Sequence, residues 1–216
     1  MEQLNQIRAP QKSDSRKKQV LVTAVVLLLG ICLGWFSKYL DERQAELPGL
    51  LAKLDELLDF HNFLGGFAPW ILIAVCLSVY SHTPFRAGIN VFFFFVGFVA
   101  SYYLYSALVA GFFPRSYALV WIAFTVASPV LAFFCWYAKG KGPVALLLSA
   151  AVSGVMLNTA FSYGMLYLDL RSWLNLVMLV IALWVLRKSP KQMLAMLGIA
   201  AAFAVLMKLA IPFEIW

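Results

Sequence analysis

Residues Val20 to Phe36 read VLVTAVVLLLGICLGWF, seventeen positions without a charge. A helix needs about 17–25 apolar residues to cross a hydrocarbon core of about 30 Å. Arg16, Lys17 and Lys18 precede the run, as they would in a secretory signal peptide. The exit is Gly34-Trp35-Phe36-Ser37-Lys38, with no small-residue cleavage site, so the run is expected to be an uncleaved first membrane helix.

The rest of the chain agrees with that start. Of 216 residues, 63% are hydrophobic and 12% charged, and the mean hydropathy is +0.84. Soluble domains run near 45–50% apolar and about 25% charged. A soluble enzyme and a nucleic-acid-binding domain are thereby excluded. The predicted class is all-α, a polytopic transmembrane helical bundle of about seven spans. After Val20–Phe36 these are Phe63–Tyr80, Ala87–Gly111, Tyr117–Tyr137 with a kink at Ser128-Pro129, Val144–Leu168, Leu170–Leu186 and Gln192–Ile211. Six is the alternative, with Phe63–Tyr80 or Leu170–Leu186 not crossing. Lipid offers the backbone no partner, and strand-like alternation is absent, so helices rather than a barrel are expected.

Charge sets the orientation. With the N-terminus inside, eleven of the 17 basic residues fall in inner segments and six outside, while eight of the ten acids lie outside. This is the positive-inside pattern, and it accounts for most of the +7 net charge. The organisation is then a cytoplasmic basic tail over 1–19, polar and mobile, a first transmembrane helix over 20–36, and an outer loop over 37–62. The remaining bundle, of about six spans, fills 63–216. Leu47, Leu50, Leu51, Leu54, Leu57 and Leu58 recur at helical spacing in the outer loop, opposite Lys53, Asp55, Glu56 and Asp59. That predicts an amphipathic helix on the membrane surface.

Chemistry is scarce. Cys32, Cys76 and Cys135 lie inside apolar runs without a C-x-x-C pair, and His61 and His82 are isolated, so no metal site or disulfide framework is expected. No metalloprotease, nucleophile-elbow or P-loop motif is present, and no Asp or Glu sits at mid-depth. The reading is no enzyme and no cofactor. Ser81-His82 reads as an inner turn into Thr83-Pro84. Lys208 carries its ammonium to the headgroups by snorkelling, with Glu214 or a substrate anion as the alternative partner.

Aromatic residues gather toward the outer side. Tyr102, Tyr103 and Tyr105 lie in the outer half of the third span, Trp121 near the same level in the fourth, and Tyr163 and Tyr167 at the end of the fifth. Asp169 and Arg171 follow at once. Tyr102, Tyr105, Trp121, Asn158, Tyr163, Tyr167, Asp169 and Arg171 are the candidate solute-binding residues. Tyr105, Trp121, Tyr163 and Arg171 are expected to line one cavity, where rings supply area and charges fix orientation. An interfacial Trp/Tyr belt is the alternative. Gly30-x-x-x-Gly34 and Gly198-x-x-x-Ala202 are candidate helix-packing faces, within the bundle or against a partner.

The stretches Phe98-Val99-Ala100-Ser101-Tyr102-Tyr103-Leu104-Tyr105, Gly111-Phe112-Phe113-Pro114 and Trp136-Tyr137-Ala138-Lys139-Gly140-Lys141-Gly142 resemble a bacterial family of multi-pass membrane proteins of unknown function. The resemblance runs from about Phe63 to Leu186 and implies a bacterial inner-membrane setting, without an activity or site residues. The functional expectation is a plasma-membrane protein that binds or moves a small solute from the outer side, as a transporter or transporter subunit. Its partners would be the lipid bilayer, another membrane subunit or an ATPase, and a small-molecule ligand, with no nucleic acid. The alternative is an accessory, assembly or immunity protein acting by helix–helix contact.

Overall fold

The computed structural model describes residues 2–12, 14–43 and 46–210, with side chains from residue 4 onward. Among these the chain forms a short α1 (Glu2–Ile7) and a long α2 (Arg16–Glu42). Two small helices follow, α3 (Gly49–Leu58) and α4 (Phe60–Gly65). Then come α5 (Ala68–Tyr80), α6 (Pro84–Leu108), α7 (Arg115–Ala138) and α8 (Gly142–Ala160). Strands β1 (Phe161–Tyr163) and β2 (Leu168–Leu170) form an antiparallel hairpin with Ser162 opposite Asp169. Helices α9 (Trp173–Val185) and α10 (Pro190–Ala210) complete the described chain.

Five helices, α2, α6, α7, α8 and α10, are long and apolar enough to cross a membrane. Helices α5 and α9 have 13 residues each, about 20 Å of helix. Hydrogen bonds show which ends share a face. Gln11 N donates to His82 O, Lys141 N to Ile7 O, and Lys188 Nζ to Ala138 O and Gly140 O. The tail and the α5–α6, α7–α8 and α9–α10 turns therefore form one amino-terminal face. The far face carries α3, α4, the α6–α7 connection and the hairpin.

Local chemistry sets the boundaries. Ser15 Oγ accepts from Lys18 N to start α2, and Thr83 Oγ1 accepts from Arg86 N to start α6, followed by Pro84 in the first turn. Pro129 lies inside α7 and leaves the carbonyl of Thr125 without its helical donor; Ser128 Oγ donates to that oxygen at 2.8 Å. A membrane helix holds a proline in this way, by satisfying the freed carbonyl with a hydroxyl.

Glycines bring α2 and α6 into backbone contact. A Cβ at Gly30 would stand 2.2 Å from Phe94 O, one at Gly34 2.2 Å from Phe98 O, and one at Gly97 2.5 Å from Leu27 O. Gly154 on α8 meets Ala200 of α10 in the same manner. The Gly30–Gly34 face thus packs within the bundle, whereas Gly198 has no atom within 4 Å of its would-be Cβ and Ala202 is exposed. The core lies between these pairs. Phe67 stacks on Trp121 at 4.7 Å, and Trp70 packs on Phe98 at 4.2 Å while its indole N–H donates to Leu64 O.

Four sequence expectations are revised. The tail over 1–19 is not a mobile arm where it is described: Arg8 Nη1 donates to Trp136 O at 2.6 Å and Nη2 to Val79 O at 2.9 Å. Those carbonyls lie in the last turns of α5 and α7, where helices lack internal donors. The first helix runs past Phe36 to Glu42, because Ser37, Lys38 and Leu40 continue its buried face. The expected span Val144–Leu168 stops at Ala160, where Arg171 N donates to Ala160 O and Asn175 Nδ2 to Thr159 O, and the chain turns back as the hairpin. The amphipathic segment is α3, shorter than the expected loop, and it points Leu50 and Leu57 outward while burying Asp55.

Candidate functional site

The eight candidate residues fall into three places on the far face. Tyr102 and Trp121 line a small cleft with Trp70, Phe98, Tyr103 and Tyr117. Its volume is about 10 Å³, room for about one water. Tyr103 Oη is buried there and has no hydrogen-bond partner among the described residues. Tyr105 turns to α2, edge-on to Trp35 at 4.8 Å.

The third place is the hairpin with the ends of α8 and α10. Asn158 Nδ2 donates to Ala204 O at 3.1 Å, and Tyr163 Oη donates to Asn158 Oδ1 at 2.7 Å. Arg171 Nε donates to Phe161 O, while Tyr167 and Asp169 are exposed. Lys208 reaches this group: its ammonium donates to Tyr163 O and lies 4.6 Å from the Tyr163 ring centroid. Glu214 lies outside the described residues. Asn158, Tyr163 and Lys208 therefore tie α8, the hairpin and α10 together.

A roomier cavity opens at the amino-terminal face. Helices α2 and α5 both lean on α6 and scarcely touch each other, which leaves a crevice between them of about 430 Å³. Its mouth is polar, with Asp14, Lys18, Gln19, His82, Arg86 and Asn90; Val22, Val26, Cys76 and Leu77 line it further along the helices. Pockets for small ligands run to about 300–1,000 Å³, mostly apolar with a few placed polar groups.

The polar groups hold one another in place. Asp14 bridges the tail to both sides, with Oδ1 2.8 Å from Lys18 Nζ and Oδ2 3.2 Å from His82 Nδ1. The hydrogen bond from Lys18, then its charge and that of His82, keep the Asp14 carboxyl below its ordinary pKa. Arg86 Nη2 donates to Gln19 O at 2.7 Å, Thr23 Oγ1 at 2.6 Å and Asn90 Oδ1 at 3.2 Å. Asn90 Nδ2 in turn donates to Ser81 Oγ. The network ties α2, α5 and α6 at the mouth.

Sequence reasoning passed over this constellation. Ser81 and His82 read as a turn, and Arg86 as a topological charge. A signal was present in the spacing: Lys18, Val22 and Val26 lie four residues apart on α2, and His82, Arg86 and Asn90 repeat that interval toward α6.

No protein-family model, curated protein or solved structure matches the chain. Five helices of sufficient length and apolarity make it a multi-pass membrane protein of helical-bundle build.

Proposed function

We propose that the chain is a bacterial plasma-membrane protein that binds a small amphipathic solute in the α2–α5–α6 crevice, as a transporter or a subunit of one. The crevice carries this reading: about 430 Å³ with a charged mouth and an apolar shaft. The sequence expectation favoured the far side. The aromatic cleft there has room for about one water, so the solute is assigned to the amino-terminal face. In this reading that face is cytoplasmic, since it carries Arg8, Arg86, Lys139, Lys141, Arg187 and Lys188. All seven apolar helices cross, α5 and α9 being extended by α4 and by the hairpin. The outward leucines of α3 lie in the outer interface.

The test is thermal unfolding of the detergent-purified protein against a panel of amphipathic anions, cations and neutral compounds. A binder at 100 times its Kd adds about 2.7 kcal/mol of stability. The reading expects at least one class to raise Tm by several degrees, with the gain lost in Val26→Trp. No shift with any class would overturn it.

A second reading, an accessory protein acting by helix contact, is favoured by the open Gly198–Ala202 face of α10. It expects a stoichiometric membrane partner that is lost on Gly198→Leu and kept on Gly65→Ala.

A further inference from the structure

Arg86 occupies the crevice mouth as a cation fixed in orientation yet not neutralised. Its Nη2 serves three oxygens, from Gln19, Thr23 and Asn90, which sets the plane of the guanidinium. Among the described residues no carboxylate pairs with it, and its Nε and Nη1 donate to nothing. Among the described residues Asp14 answers Lys18 and His82 and no other cation. The mouth thus holds two permanent positive charges against one carboxylate.

Shape adds a second constraint. Below the mouth the walls are Val22, Val26, Leu77 and Cys76. Because α2 and α5 scarcely touch, the crevice is open along its side, where Val22 and Tyr80 are exposed. A water-soluble anion has no use for an apolar shaft with a lateral opening. A molecule with an anionic head at the interface and a hydrocarbon chain in the bilayer fits both parts. A phosphodiester oxygen can take a charge-assisted hydrogen bond from the open Nη1 of such a guanidinium, and a second oxygen is left for Lys18.

We propose that the crevice holds one anionic phospholipid. Its phosphodiester sits against Arg86 Nη1, with Lys18 serving a second oxygen, and one acyl chain lies along Val22, Val26 and Leu77. This rests on the reading of the crevice as the solute site and names the class of its occupant. Asp14 is an internal competitor in the mouth, which the headgroup displaces from Lys18.

The experiment is native mass spectrometry of the delipidated full chain. It is titrated with phosphatidylglycerol, with phosphatidylcholine of the same acyl chains, and separately with glycerol phosphate. One phosphatidylglycerol should bind at least about tenfold more tightly than phosphatidylcholine, as expected for a charge-assisted contact. Lys18→Gln should weaken it several-fold, Arg86→Gln by about tenfold or more, and Asp14→Asn should strengthen it. Lys191→Gln, on the same face but outside the crevice, should leave it unchanged. Arg86 also ties α2 to α6, so Lys18→Gln and Val22→Trp, both at exposed positions, test the site without touching that tie. Equal binding of the two lipids, or indifference to Lys18→Gln and Val22→Trp, overturns the proposal. Glycerol phosphate binding in place of the lipid overturns it while leaving the crevice as a solute site. If neither lipid nor any compound of the thermal panel binds, the solute reading falls as well.

Discussion

Arg8 and Asp14 fix the amino-terminal segment through opposite chemistries. Arg8 caps the ends of α5 and α7 and lies 4.0 Å from the centroid of the Trp136 ring. Burial lowers its pKa, which still leaves it charged. Hydrogen bonds from charged groups are worth about 1.5–3 kcal/mol, so Arg8→Gln should cost about 2 kcal/mol in thermal unfolding. It should also speed hydrogen exchange across residues 2–12. Asp14 responds to pH. Its folded pKa is depressed by Lys18, so its contribution is complete above the ordinary carboxylate pKa of about 3.9 and is lost as pH falls through the lower folded value. Release of the tail, followed by exchange at Gln11 and Lys12, should therefore set in below about pH 4 and be absent from pH 5 to 7. Neither role was legible in the sequence. A polar, charged tail reads as mobile because the orphan carbonyls it satisfies belong to helices more than seventy residues away.

The helices were legible wherever hydropathy and packing share a period. Gly30-x-x-x-Gly34 marked a close approach, and the contact with Phe94 and Phe98 is that approach. The motif could not say which glycine pair stays inside. Gly30→Leu should destabilise by about 3 kcal/mol or more, because the Cβ meets backbone oxygen and no side chain can retreat. Gly198→Ala should be neutral or stabilising by up to about 1 kcal/mol, since nothing crowds the site and alanine is the better helix former. Comparing the two in denaturant unfolding separates the faces. The end of α8 was hidden because Phe161-Ser162-Tyr163 prolong the apolar run: hydropathy does not distinguish a membrane helix from an apolar strand at its exit. Lys38 was hidden for a related reason. It reads as a loop charge, yet it is buried on α2 with its ammonium 2.6 Å from Asp41 and beside the Tyr102 and Phe112 rings.

At the scale of the molecule, the distribution of polar groups separates two ends with different tasks. The far end is rich in rings, but Phe67, Trp70, Phe98, Tyr103 and Trp121 fill the space among themselves. Counting aromatics registers area available for contact without registering whether the contact is already made. The amino-terminal end has fewer rings and a crevice, because α2 and α5 diverge over α6. Single cysteines at Met165 in the hairpin and at Gln11 in the tail, in a cysteine-free background, should react with a membrane-impermeant maleimide from opposite sides of sealed vesicles. Labelling of both from one side would overturn the seven-crossing arrangement.

The most direct measurement is an electron cryo-microscopy map of the full chain in nanodiscs of native lipid extract, with a rigid antibody fragment bound to the far face. An elongated density is expected between α2 and α5, its head within hydrogen-bonding distance of Arg86 and its tail along Val22 and Val26. A crevice collapsed by contact of α2 with α5, or empty beside a ligand bound in the far-face aromatic cluster, would contradict it.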